Sequence, residues 1–267
     1  MAVFAHWTAI ALYLATTLVL ATKLYRRREV SDSAFALLLL AFALAAHGTS
    51  LYFTLRTDGG FRLDLLAMLS LITWLVTLLL LLLARRHKLT LLILAMAPIS
   101  ALATLAAAHA WGDVSPSQQV SPGIAAHIVL SITAYALLTL ATIQALYLYW
   151  LNLQLHNHHP SGISRYLPPL QTMESLLFGL ITFGEILLTA ALATGFLFLQ
   201  DLFAQHLVHK TALSILAWIL YGVLLWGHWQ QGWRGNTAVR WTLCAFAALM
   251  LAFFGSKLAL EVILQRN

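Results

Sequence analysis

Long runs of apolar residues, separated by short polar segments, make up nearly the whole chain. Crossing the hydrocarbon core of a bilayer takes a helix of roughly 20 apolar residues. Runs of about that length cover residues 3–22, 33–53, 63–83, 89–109, 123–151, 176–199, 211–229 and 241–264. None of them alternates apolar and polar positions with the period of two that a membrane strand requires. The pattern therefore predicts an all-α, polytopic membrane helix bundle with eight transmembrane helices.

The composition leaves little for a water-facing domain. Of the 267 residues, 61% are hydrophobic and 9% are charged, whereas a soluble globular domain has about 25% charged residues. We therefore predict a single integral membrane domain spanning residues 1–267. The one cysteine, Cys244, cannot form a disulfide within the chain, and no CxxCH motif occurs, which excludes a c-type cytochrome.

The basic residues cluster at the ends of the apolar runs. Because these positions meet lipid headgroups and follow the positive-inside rule, we read the net charge of +6 as a membrane feature and expect no nucleic acid partner. One side has ten basic residues, namely Lys23, Arg26, Arg27, Arg28, Arg85, Arg86, Lys88, Arg165, Arg234 and Arg240. The other side has five, namely Arg56, Arg62, Lys210, Lys257 and Arg266. The imbalance predicts that the first side is cytoplasmic and that both termini are periplasmic.

Titratable groups inside the membrane are costly and mark functional sites by default. Those in or at the ends of the runs are His47, His127, Glu185, His228 and Lys257. His47 lies roughly 13 Å and His127 roughly 6 Å inside the same outer boundary, at 1.5 Å per residue. Two imidazoles facing each other across a helix bundle can hold the iron of a b-type haem. The alternative is a neutral histidine that is hydrogen-bonded to a neighbouring helix.

The seventh run has a stripe of residues on one helical face, made of Trp218, Tyr221, Leu225 and His228. An aromatic stripe that ends in a histidine suits a flat macrocycle, and it equally suits an interfacial aromatic belt. Arg234 and Arg240 follow, where they fit haem propionates or simply the positive charge of a cytoplasmic loop.

Glu185 lies in the middle of the sixth run. It fits either a proton or cation site, or a neutral acid bonded within the bundle. The chain has no phosphate-binding glycine loop, nucleophile elbow or HExxH motif, and no paired carboxylates in a polar segment, so we expect no enzymatic activity.

In the C-terminal third, residues 216–240 read LAWILYGVLLWGHWQQGWRGNTAVR, and Phe-Phe-Gly follows at 253–255. This segment has a Trp, a Tyr, a helix-ending His and a Gly-Trp-x-Gly turn in that order. In these features it resembles the end of the cytochrome c assembly family, the group that includes CcsA, CcmC and HemX. Further similar segments are SPGIAAHIVLSITAYALL at 121–138, HGTSLYFTLRTDGG at 47–60 and LLTAALATG at 187–195. The resemblance covers essentially the whole chain.

The resemblance implies a multi-pass protein of the bacterial inner membrane that binds haem. By it, His127 falls on the family's first outer haem histidine and His228 on a transmembrane haem histidine, while His47 matches a second-helix histidine of less uniform role. The family's tryptophan-rich WWD loop is missing, since residues 198–210 read FLQDLFAQHLVHK, and so is the outer histidine that follows its eighth helix.

These departures favour haem handling or relay over the presentation of haem to apocytochrome c. The implied partners are haem and other cytochrome c assembly components. The alternative is a non-haem accessory or regulatory subunit of a membrane transporter for ions or small solutes.

Overall fold

The computed structural model describes residues 2–26, 34–57, 60–61, 64–84, 89–109, 121–156, 169–198 and 205–255. Within these residues eight α-helices follow one another: α1 Ala2–Tyr25, α2 Ala34–Leu55, α3 Leu65–Leu83, α4 Thr90–Ala108, α5 Pro122–His156, α6 Leu170–Phe198, α7 Gln205–Gln231 and α8 Gly235–Met250. A π-helical turn, Leu251–Gly255, continues α8. Two-residue strands, β1 Arg56–Thr57 and β2 Gly60–Phe61, pair antiparallel between α2 and α3.

Each of the eight helices, the last together with its π-helical turn, is long and apolar enough to cross a membrane, which confirms the predicted fold class. The helices α5, α6 and α7 extend beyond the apolar runs that predicted them. The eighth helix begins at Gly235 rather than at residue 241. Its predicted end and Lys257 lie outside the described residues, as do most of the predicted cytoplasmic arginines.

The first four helices form one compact unit and the last four another. In the first unit α1 packs against α2 and α4, and α3 packs against both of these. In the second unit α5 packs against α6 and α8, and α7 packs against the same two helices. The prediction of a single membrane domain stays a prediction.

The side chains of both units suit a lipid environment. Large apolar residues such as Phe4, Phe42 and Phe183 are exposed, which places hydrocarbon where lipid tails would lie. Threonine hydroxyls within the helices donate to a carbonyl one turn earlier, as Thr16 does to Leu12 at 2.8 Å. A hydroxyl bonded in this way needs no water.

Candidate functional site

His47 is fully buried in the first unit, where it contacts a polar side chain from each of the other three helices. Its Nδ1 atom lies 3.0 Å from the Tyr13 hydroxyl on α1. Its Nε2 atom lies 2.8 Å from Ser70 Oγ on α3 and 3.1 Å from Thr104 Oγ1 on α4. The Thr104 hydroxyl donates its hydrogen to the Ser100 carbonyl at 2.7 Å. Thr104 therefore accepts from His47, so Nε2 carries the proton and Nδ1 accepts from Tyr13.

This network leaves no lone pair free on the His47 ring. Metal ligation requires an unprotonated nitrogen, so His47 would have to release Tyr13 before it could bind iron. Hydrogen bonds between membrane helices stabilise their association, and this cluster joins all four helices of the first unit. His47 is thus hydrogen-bonded to the neighbouring helices, which is the alternative to haem ligation that the sequence left open. Its role as an iron ligand stays a prediction.

His127 lies in the second turn of α5 and is partly buried. Its Nδ1 atom lies 2.8 Å from the Ala191 carbonyl on α6 and 3.4 Å from Thr194 Oγ1. Because a carbonyl can only accept, Nδ1 carries the proton and the lone pair is on Nε2. The two helices approach closely here, since a Cβ added to Gly123 would lie 2.4 Å from the Phe198 ring.

His228 has the same arrangement in the last turn of α7. Its Nδ1 atom lies 2.9 Å from the Trp233 carbonyl, which again leaves the lone pair on Nε2. The imidazole stacks on Phe178 of α6, with ring centroids 3.4 Å apart and planes 14° apart. Two independent contacts therefore determine the orientation of this ring.

The Gly-Trp-x-Gly segment after α7 explains how the Trp233 carbonyl reaches His228. Gly232 has a φ of 68°, in the left-handed region that glycine adopts most easily, and its N–H donates to the His228 carbonyl at 3.1 Å. The chain then folds back, and the Trp233 N–H donates to the Gly227 carbonyl at 3.2 Å. Gly227 is required for this, because a Cβ there would lie 2.4 Å from the Trp233 ring.

Two further contacts hold the turn in place. Trp233 stacks on Trp241 of α8, with ring centroids 5.5 Å apart. Gly235, which also has a positive φ of 54°, donates its N–H to Glu174 Oε1 of α6 at 2.9 Å. Sequence reasoning identified His228 but missed Phe178, Trp233 and Glu174 as its supports. The glycines at 227, 232 and 235 could have revealed these contacts, because three glycines around one tryptophan indicate a tight turn.

The aromatic stripe of α7 lies against α6. Trp218 Nε1 donates to Thr189 Oγ1 at 2.9 Å, and His228 stacks on Phe178. Tyr221, between them, interacts electrostatically with Glu185. The stripe thus follows α6 in antiparallel register, although Trp218 also keeps an exposed edge.

His127 and His228 lie at opposite ends of this arrangement. Their contacts on α6, Ala191 and Phe178, are 13 residues apart, which is about 20 Å along a helix. The two imidazoles therefore cannot ligate the same iron atom. The predicted pairing of His127 with His47 stays a prediction, because these residues belong to different units.

Single histidines suit haem better than they suit a metal ion held by protein alone. Among the described residues no group of three or more His, Cys, Asp or Glu side chains could hold a metal ion. A haem brings four ring nitrogens of its own and needs the protein only for the axial positions. A histidine whose Nδ1–H donates to a backbone carbonyl is the usual form of a metal-ligating imidazole, so His127 and His228 fit this group.

The comparisons with known proteins agree with the resemblance. The family model described as "Cytochrome C assembly protein" matches residues 38–264. The chain is 32% identical over 230 residues to "Inner membrane protein YpjD" of Escherichia coli strain K12, covering 85% of this chain and 87% of that protein. The same identity and coverage hold for YpjD of Escherichia coli O157:H7.

A further relative is described as "Uncharacterized 28.8 kDa protein in nifR3-like 5'region" of Azospirillum brasilense. It is 35% identical over 140 residues, which cover 52% of each chain. No solved structure matches the chain. The family match and the extensive identity to the YpjD proteins show that this chain belongs to the cytochrome c assembly protein family.

Proposed function

We propose that this protein binds haem within the inner membrane of a bacterium and handles or relays it without catalysing a reaction. The observation that carries the proposal is the orientation of two imidazoles. His127 and His228 each donate Nδ1–H to a backbone carbonyl and keep the Nε2 lone pair for a ligand. His47, whose two ring nitrogens are already engaged, has no such lone pair.

In this proposal His127 and His228 would each hold haem through Nε2, at separate places. Haem contributes the iron and the porphyrin nitrogens. The Ala191 carbonyl and the Trp233 carbonyl hold the imidazoles in the tautomer that binds iron. At His228, the stacked Phe178 ring restrains rotation of the imidazole. The exposed side chains of Arg234 and Arg240 follow His228 closely enough in the chain to bind the propionates of a haem held there.

The separation of the two histidines supports a relay. One imidazole lies in the second turn of α5 and the other in the last turn of α7, with the whole middle of α6 between their contacts. By the positive-inside rule we propose that His127 is on the periplasmic side and His228 on the cytoplasmic side, with both termini periplasmic. The absence of tryptophan from residues 198–210 favours this role over haem presentation to apocytochrome c.

An absorption spectrum of the protein purified from haem-replete cells in mild detergent tests the proposal. We expect a Soret band, with the haem content lowered in His127→Ala and in His228→Ala and nearly abolished when both are changed. His109→Ala is the matched control. His109 makes the same kind of bond, from Nδ1 to the Leu105 carbonyl at 2.9 Å, but it is exposed at the end of α4.

A colourless protein, or a haem content that neither His127→Ala nor His228→Ala changes, would contradict the proposal. A protein without haem that copurifies with a transporter would instead support the alternative of a non-haem accessory subunit. If His109→Ala lost as much haem as His127→Ala and His228→Ala, the loss would not be specific to the two proposed ligands.

A further inference from the structure

Glu185 and Tyr221 bring two oxygen-bearing side chains together in the middle of the second unit. Glu185 lies 15 residues after the first residue of α6 and 13 before the last, so it is about 20 Å from either end of this helix. Its carboxyl faces α7 at Gly222, where an added Cβ would lie 3.8 Å from Glu185 Oε1. Tyr221, the preceding residue on α7, interacts electrostatically with the same carboxyl.

Both side chains are buried, and each has one oxygen that makes no hydrogen bond of normal geometry with the described residues. Glu185 is 8% exposed and Tyr221 is 0% exposed. Neither Glu185 Oε2 nor the Tyr221 hydroxyl makes a hydrogen bond of normal geometry with any described residue. Thr142 of α5 is close to the tyrosine; because its hydroxyl donates to the Leu138 carbonyl at 2.8 Å, Thr142 has only lone pairs to offer the Tyr221 hydroxyl. A buried polar atom left unsatisfied costs about 1–3 kcal/mol, so these atoms are positioned for something other than helix packing.

Among the described residues, no positive charge is bonded to Glu185. Along the described chain, no lysine, arginine or histidine bonds to this carboxyl. Tyr221 of α7 interacts electrostatically with Glu185 and with Tyr135 of α5, and both phenols are neutral; Tyr135 donates to Met250 Sδ at 2.7 Å. The other titratable groups described on the helices packed against α6 are His127, Tyr147 and Tyr149 on α5 and His209, Lys210 and His228 on α7. The contacts of His127 and His228 on α6 lie about 9–10 Å away along the helix. An unpaired carboxylate at this depth is strongly disfavoured, and a bound proton removes its charge.

We propose that Glu185 and Tyr221 form an intramembrane proton-binding site. On loading, an O–H bond forms between the arriving proton and the Glu185 carboxylate, and on unloading this bond breaks and the proton leaves. Tyr221 keeps its own hydrogen and donates it to the carboxyl once its side chain rotates toward Glu185. A metal cation fits less well, because hard cations take six or more oxygens, whereas the described residues offer two unpartnered ones here.

Infrared spectroscopy of the protein in lipid nanodiscs tests the site, because a protonated carboxyl and a carboxylate absorb at different frequencies. We expect a protonated-carboxyl band at neutral pH that is absent in Glu185→Gln. The band should shift in Tyr221→Phe, which removes its hydrogen-bond partner and keeps the ring, and it should disappear reversibly as the buffer is made alkaline. Glu174→Gln is the matched control and should keep the band, since Glu174 lies near the end of α6 and bonds Gly235.

Three results would overturn the proposal. Identical bands in the wild type and in Glu185→Gln would show that Glu185 holds no proton. A band that stays constant over the whole pH range in which the protein is folded would identify a static structural acid. A carboxylate band at neutral pH that depends on sodium would assign the site to a metal cation. If Glu185→Gln fails to fold, Tyr221→Phe alone decides, and an unshifted band contradicts the pairing. None of these measurements requires bound haem.

Discussion

Replacing Gly227 with alanine should disturb the support of His228 without touching the histidine itself. The new Cβ would lie 2.4 Å from Cδ2 and Cε3 of Trp233, whereas carbon atoms pack at about 3.5–4.0 Å. The indole must therefore move by about 1 Å. It cannot do so freely, because it stacks on Trp241 and its Nε1 donates to Gln231 Oε1 at 2.9 Å.

The displacement has a calculable cost. Overpacking costs about 1–3 kcal/mol, and moving the Trp233 carbonyl away from His228 Nδ1 removes a hydrogen bond worth about 0.6 kcal/mol in a membrane. Alanine returns up to about 1 kcal/mol through its higher helix propensity. We therefore expect a net loss of about 0.6–2.6 kcal/mol in the free energy of unfolding. We also expect haem affinity at His228 to fall by about 10–100-fold, as when a metal ligand loses its supporting partner.

Gly179→Ala provides a matched control, because nothing lies within 4 Å of a Cβ added at this α6 glycine. Denaturation in detergent should show that Gly179→Ala is neutral or slightly stabilising while Gly227→Ala is destabilising, and haem titration should separate the two variants further. Equal stability and equal haem affinity in both would refute the inference that Gly227 makes room for Trp233.

Two further predictions concern the first unit and the orientation of the chain. His47→Ala removes three hydrogen bonds worth about 0.6 kcal/mol each. It should therefore lower the free energy of unfolding, measured in detergent, by about 2 kcal/mol or more. Thr49→Ala, at an exposed position on the same helix, is the control and should have little effect. An unchanged stability of His47→Ala would contradict the network. In a Cys244→Ser background, an impermeant maleimide should label Val3→Cys in intact cells and Gln230→Cys only after lysis, and the reverse result would contradict the proposed topology.

The membrane spans could be predicted from the chain without knowledge of its packing. Bilayer thickness imposes a length and an apolar composition on every segment separately, and this information is local. The helix ends were less predictable. The last turns of α5, up to His156, contain polar residues, because a helix can continue past the hydrocarbon and still satisfy its own backbone.

The candidate histidines could also be found from the sequence, because a polar residue is conspicuous in an apolar run. Their roles could not be assigned in the same way. His47 bonds residues that are 34, 23 and 57 positions away in the chain. Only the packing of α1, α3 and α4 around α2 shows that its ring nitrogens are engaged. The free lone pair of His127 follows from the packing of α5 against α6, and that of His228 from the turn after α7.

The same limit applies to the pairing of Glu185 with Tyr221. The periodicity of α7 placed Tyr221 on one face with His228, which needs only the 3.6-residue repeat. That this face meets α6, and that Gly222 leaves room there for the Glu185 carboxyl, depends on the rotation and register of two helices. A helix that is apolar on all sides leaves its own rotation undetermined, so these contacts are decided only when the helices pack.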